Sequence, residues 1–79
     1  MPLPPRQIAI LRYLNENKTA TARNVSRDLK MNRSATRKAL HGLADDRLVF
    51  VDRNTWPASW ALTDVGAALV AAANFQRET

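Results

Sequence analysis

Three observations predict a mainly α fold carrying a small β-hairpin. The stretch from Leu29 to Val49 reads as a tight turn followed by a helix with one cationic face and one apolar face. The order of periodic and alternating segments gives three helices, a hairpin and a closing helix. A length of 79 residues leaves room for a single domain spanning residues 1–79; a chain this short buries only about 60% of its extended surface.

Pro4 and Pro5 open helix 1, where a missing N–H is tolerated, and Ile8, Leu11 and Leu14 line its inner side through about Asn17. Thr19 to Thr21 is β-compatible and short. Thr21 is a capping hydroxyl for helix 2, whose apolar side is Ala22, Val25 and Leu29. Lys30 and Met31 make the turn, and Asn32 caps helix 3, which runs to about Asp46. Advancing about 100° per residue from Arg33, the side chains of Arg37, His41, Ser34 and Lys38 fall within an arc of about 140°. Thr36, Ala39, Leu40 and Leu43 occupy the other side. Leu48 to Val51 form a β-type run, Asp52 to Pro57 carry turn residues, and Ser59 to Leu62 return antiparallel. Thr63 and Asp64 begin the last helix, which runs through Val65, Leu69 and Val70 and has an alanine-rich side at Ala67, Ala68, Ala71 and Ala72.

This is the element order of a winged helix-turn-helix, a three-helix core plus wing and C-terminal helix, in which helix 3 enters the major groove and the wing spans about residues 48–62. Charge agrees with that layout. The net charge is +5, yet Lys18, Arg23, Arg27, Lys30, Arg33, Arg37 and Lys38 face Asp28 alone between residues 18 and 38. A basic surface so localised suggests a polyanionic partner, most often nucleic acid, with a merely solvated basic face as the alternative; double-stranded DNA is the partner expected from the element order.

Leu29, Asn32, Arg33, Ser34, Thr36, Arg37, Lys38, Leu40, Leu43, Leu48 and Val49 follow a pattern of leucine, small turn, Ser-Arg-Ser-Thr-Val, a Ser/Thr-Arg pair, Leu and Gly-Leu-Val. Trp60, Leu62, Thr63 and Gly66 fit an ending of aromatic, x, Leu, Thr, x, x, Gly. In these residues, which lie between Leu29 and Gly66, it resembles winged-helix transcription regulators of the MarR type, with motifs shared by many winged-helix families. The resemblance implies a DNA-binding regulator, with repression by occupancy of a site. Lys30 and Arg47 stand where that family usually has glycine, and a left-handed backbone at either would be strained by about 1 kcal/mol, so both turns are expected to differ. The hairpin also lacks a long arginine-rich wing, and only one helix follows Thr63, where the family dimerises through long additional terminal helices. Arg33, Lys38, Pro57 and Trp60 are similar to positions of Z-alpha domains, which bind Z-form nucleic acid. Arg37 and His41 there replace that family's Asn and Tyr.

Arg33 and Arg37 lie one turn apart and can donate paired bonds to guanine O6 and N7, whereas Ser34 and Lys38 suit the sugar-phosphate backbone. His41, a turn further on, can bond a phosphate or stand in solvent. Arg23 and Arg27 on helix 2 fit phosphates. Arg53 and Asn54 at the wing tip can reach a minor groove, or simply make a turn. Trp60 alternates with Leu62 as a core residue, and Trp56 has the better claim to an exposed contact. Gly42 inside helix 3 reads either as a close approach of another backbone or as a tolerated defect.

The absence of cysteine and the single histidine argue against disulfides, metal sites and thiol catalysis. Asp45 and Asp46 are adjacent and point apart, so no catalytic constellation is legible and no enzyme activity or cofactor is expected. Neither a signal sequence nor a membrane span is expected, and a cytoplasmic location is the expectation that goes with them. A single small module reads few bases, so a homodimer on two half-sites is expected. The other readings are a winged-helix module that docks an acidic protein partner and a Z-form nucleic-acid binder.

Overall fold

The computed structural model describes residues 4–78, with side chains described over residues 4–72. The elements run α1 (Pro5–Asn17), β1 (Thr19–Thr21), α2 (Ala22–Asp28), α3 (Arg33–Asp45), β2 (Val49–Asp52), β3 (Ser59–Leu62) and α4 (Asp64–Glu78). β1 is a true strand. It pairs antiparallel with β3 through Ala20 and Trp60, and β3 pairs with β2 through Trp60 and Val51, so the hairpin's return strand is the centre of a three-stranded sheet in the order β1-β3-β2. Strand alternation then puts Ala20, Val49, Val51, Trp60 and Leu62 on the face that packs on the helices, while Phe50 on the other face is half exposed.

The core joins Ile10, Leu11 and Leu14 of α1, Val25 of α2, Ala39, Leu40 and Leu43 of α3, the strand residues Val49 and Trp60, and Val70 of α4. On α1 the sequence pattern points to Ile8. The structure leaves Ile8 half-buried and buries Ile10 completely, because α1 packs against α3, α4 and β3 together and its covered stripe is correspondingly wide. α2 buries Ser26 as well as Val25; the serine hydroxyl donates to the Arg23 carbonyl at 2.9 Å, which removes the penalty of burying it.

Both turns in which lysine or arginine replaces glycine are left-handed, contrary to the expectation that they differ. Lys30 has φ 55° and Arg47 φ 62°. Each directly follows the C-capping residue of a helix, Leu29 or Asp46, in the same hydrogen-bond arrangement. Met31 N–H donates to Ser26 O and Lys30 N–H to Arg27 O; Leu48 N–H donates to Leu43 O and Arg47 N–H to Ala44 O. These are Schellman closures, which satisfy carbonyls that a helix end otherwise leaves bare. Two bonds per turn outweigh a strain of about 1 kcal/mol, and a cationic side chain at a helix C-terminus meets the negative end of its dipole.

Thr63 fastens α4 to the second of these turns. Its N–H donates to Leu48 O at 3.0 Å, its hydroxyl donates to Arg47 O at 2.6 Å, and the Thr63 hydroxyl oxygen accepts the Gly66 N–H at 3.1 Å. The docking is so close that a Cβ on Gly66 would lie 2.0 Å from Leu48 O. It also sets the rotation of α4. Gly66 and Val70 turn inward, whereas Val65 and Leu69 are 61% and 41% exposed. Gly42, in contrast, approaches no backbone closely: an added Cβ would meet the Gln7 side-chain nitrogen at 3.5 Å, ordinary contact distance.

The two glycines therefore respond oppositely to alanine. Gly42→Ala should stabilise by roughly 0.5–1 kcal/mol through helix propensity, and Gly66→Ala should destabilise by roughly 1–3 kcal/mol through overpacking. Thermal melts of the two variants check this; a Gly66→Ala protein as stable as the parent would contradict the docking described.

Candidate nucleic-acid interface

α3 is positioned by both ends and by one side. Asn32 has an extended backbone, and its side-chain oxygen accepts the Ser34 N–H at 2.8 Å and the Ala35 N–H at 3.4 Å, fixing where the helix begins. Thr36, Ala39, Leu40 and Leu43 are its buried residues, the four that the sequence periodicity assigns to the inner side. Thr36 is fully buried, and its hydroxyl is satisfied by the Asn32 carbonyl at 2.9 Å.

With that side covered, Arg33, Ser34, Arg37, Lys38 and His41 are all exposed on α3. The only ion pair among the described residues is Arg27 with Asp28, at 3.1 Å on α2. The guanidinium groups of Arg33 and Arg37 and the Lys38 ammonium thus face solvent without a carboxylate partner among those residues. Arg23 is likewise exposed on α2. Arg27 differs from the sequence reading in that its charge is shared with Asp28 and has to be drawn from it before it can meet a phosphate.

Asp28 is held from a second side. The Tyr13 hydroxyl of α1 donates to it, which ties the first two helices together. That hydrogen bond is the main reason the Tyr13 pKa is raised, with burial and the carboxylate charge adding to it. The same bond, followed by the one from Arg27, holds Asp28 below its ordinary carboxylate value.

His41 turns out to be neither a free bystander nor a residue dedicated to solvent. Its ring packs edge-on against Trp60, with ring centres 5.3 Å apart and planes at 86°, so the exposed face of α3 touches the central strand of the sheet. Trp60 is 6% exposed, and Trp56 is 97% exposed. At the wing tip, Asp52 accepts the Asn54 N–H at 2.9 Å, and the Thr55 hydroxyl lies within hydrogen-bond reach of Pro57 O and the Ser59 hydroxyl. This network orders a loop from which Arg53, Asn54 and Trp56 project into solvent.

One cation escaped the sequence reading. Arg6 in the first turn of α1 lines a groove with Gln7, Asn32, Ser34 and Lys38, next to the start of α3. Its position beside two prolines gave no periodic signal; only the packing of α1 on α3 brings it to this face.

Among solved structures, a variant of ZitR from Lactococcus lactis matches with a TM-score of 0.88 and 26% identity, over 99% of this chain and 55% of that one. A MarR family protein from Bacillus stearothermophilus gives a TM-score of 0.92 at 20% identity, over 99% and 56%. The Zalpha domain of PKZ from Carassius auratus, in complex with Z-DNA, gives 0.69 at 22% identity, over 73% of this chain and 92% of that one. The chain has the winged-helix fold that these proteins share, and it spans about half the length of the ZitR and MarR family chains. No protein-family model and no curated protein matches the sequence.

Tyr13 is the only tyrosine, so its titration is directly readable from tyrosinate absorbance. It should ionise above the ordinary tyrosine value, and Asp28→Asn should return it toward that value. The stabilisation from the raised Tyr13 is full below its unfolded pKa and lost as pH rises through the folded one. For Asp28, with its lowered pKa, stabilisation is full above the unfolded value and lost as pH falls through the folded one. A tyrosine titration indifferent to Asp28→Asn would contradict the α1–α2 bond.

Proposed function

We propose that the chain binds duplex DNA as the reading module of a transcription regulator, with α3 in the major groove and the wing beside it. The observation that carries this reading is the cationic side of α3. Arg33, Arg37 and Lys38 stand in solvent without a carboxylate partner among the described residues, on a rod whose opposite side is locked into the core. Arg33 and Arg37 contact bases; Ser34, Lys38, Arg23 and Arg27 contact phosphates; His41 is steered by Trp60 at the back of the face. Arg53, Asn54 and Trp56 extend the contact along the duplex from the wing. Likeness to a MarR family protein in fold supports the regulator, which would act by occupying its site.

The protein binds as a homodimer in this account. Val65, Ala68, Leu69 and Ala72 make an exposed apolar stripe on α4, on a surface away from Val70, and two half-sites would supply the specificity that one small module lacks. The match to nearly the whole length of a Zalpha domain favours a second reading, in which the duplex is bound in its Z form. His41 and Arg37 in place of that family's Tyr and Asn weigh against it.

Binding titrations over a range of salt concentrations test the proposal. Log affinity should fall with log salt at a slope of about −0.9 per phosphate neutralised. Arg33→Ala and Arg37→Ala should each lose roughly 1–3 kcal/mol of preference for a selected site over random duplex. An alternating CG duplex should keep its circular dichroism sign, and sedimentation should report a dimer. Salt-insensitive binding, or none, would contradict the DNA reading; an inverted spectrum would select the Z form, and a monomer at high concentration would remove the dimer.

A further inference from the structure

We propose that the groove between the first turns of α1 and α3 is a phosphate-binding cleft that seats a backbone phosphodiester of the bound strand, next to the bases that α3 reads. This rests on the DNA-binding reading above and adds a contact that the helix-turn-helix face does not include. The groove is lined by Arg6 and Gln7 of α1, by Asn32, and by Ser34, Lys38 and Gly42 of α3, with no carboxylate in its lining.

Three features favour an anion there. Arg6 and Lys38 are both exposed, come from different helices and line the same groove. Neither α1 nor α3 has an acidic residue in its first turn to offset the positive end of its dipole, although the Ser34 and Ala35 amides are taken by the Asn32 side chain and the Gln7 and Ile8 amides by the Pro4 carbonyl, so the charge of Arg6 and Lys38 is the main attraction. The wall formed by Ser34 and Lys38 is at the same time the edge of the cationic arc of α3, so a strand following that face is carried directly into the cleft.

An open, solvated site of this kind competes poorly with water for a free anion. A phosphate tethered to a duplex already held by α3 is different, because it arrives at high effective concentration. The strand is therefore the occupant.

The test uses the whole chain and three variants. Arg6→Gln should weaken duplex binding severalfold, reduce the salt slope by about 0.9, and leave the ranking of sequences unchanged. Gln7→Glu separates binding from folding. A carboxylate in the first turn of α1 favours the helix and should hold or raise the melting temperature, while repelling the phosphate and lowering affinity at least as much as Arg6→Gln. Asn15→Asp makes the same charge change on the same helix, about 12 Å further along its axis, and should have a much smaller effect. If the parent binds duplex with a preference that depends on Arg33 and Arg37 while Gln7→Glu binds as tightly as the parent, the cleft is overturned and the DNA reading stands. Equal losses from Gln7→Glu and Asn15→Asp would also overturn it, by reducing the effect to net charge. So would saturable binding of inorganic phosphate in the groove that leaves duplex affinity untouched. If the parent binds no duplex, both proposals fall.

Discussion

Burial of one side of α3 is the constraint from which the interface follows. Thr36, Ala39, Leu40 and Leu43 lie on a single stripe, and a helix that commits such a stripe to a core has no freedom left about its own axis. Truncating one buried leucine costs roughly 2–5 kcal/mol, and a small domain has only about 5–15 kcal/mol of stability to lose. Rotating α3 so as to hide its arginines would expose the whole stripe. The cationic arc is thus held outward by apolar packing and not by any interaction of its own.

Position along the axis is set separately, by the two helix closures. Lys30 and Arg47 accept a left-handed backbone, and in return α2 and α3 end where their last carbonyls find partners. The first closure is the turn between α2 and α3. The second delivers Leu48 into the core and offers the Arg47 and Leu48 carbonyls to Thr63, so that α4 begins against the end of α3. Gly66 is the residue on which this contact depends, because no side chain fits between α4 and the Leu48 carbonyl.

Much of this was legible in the sequence. The Thr21 and Asn32 caps, the four buried residues of α3, the hairpin and the contrast between Trp56 and Trp60 all follow from local patterns, and local hydrogen bonding and periodicity are what a linear reading senses best. What was missed depends on contacts between segments far apart in the chain. The left-handed Lys30 and Arg47 were read against glycine preference alone, without the two bonds each turn closes. Nothing local shows that Gly66 fixes the rotation of α4, which buries Val70 and leaves Val65 and Leu69 exposed. Arg6, the Tyr13–Asp28 bond and the edge contact of His41 with Trp60 all require knowing which helices and strands are neighbours.

The most direct test of the account is a map of backbone amide resonances as duplex DNA is added. The account predicts changes concentrated from Asn32 to His41, with smaller ones at the start of α1, on α2 and at the wing tip, and little change along the solvent-facing residues of α4. Changes centred on Val65, Ala68, Leu69 and Ala72, with the first half of α3 unmoved, would contradict it.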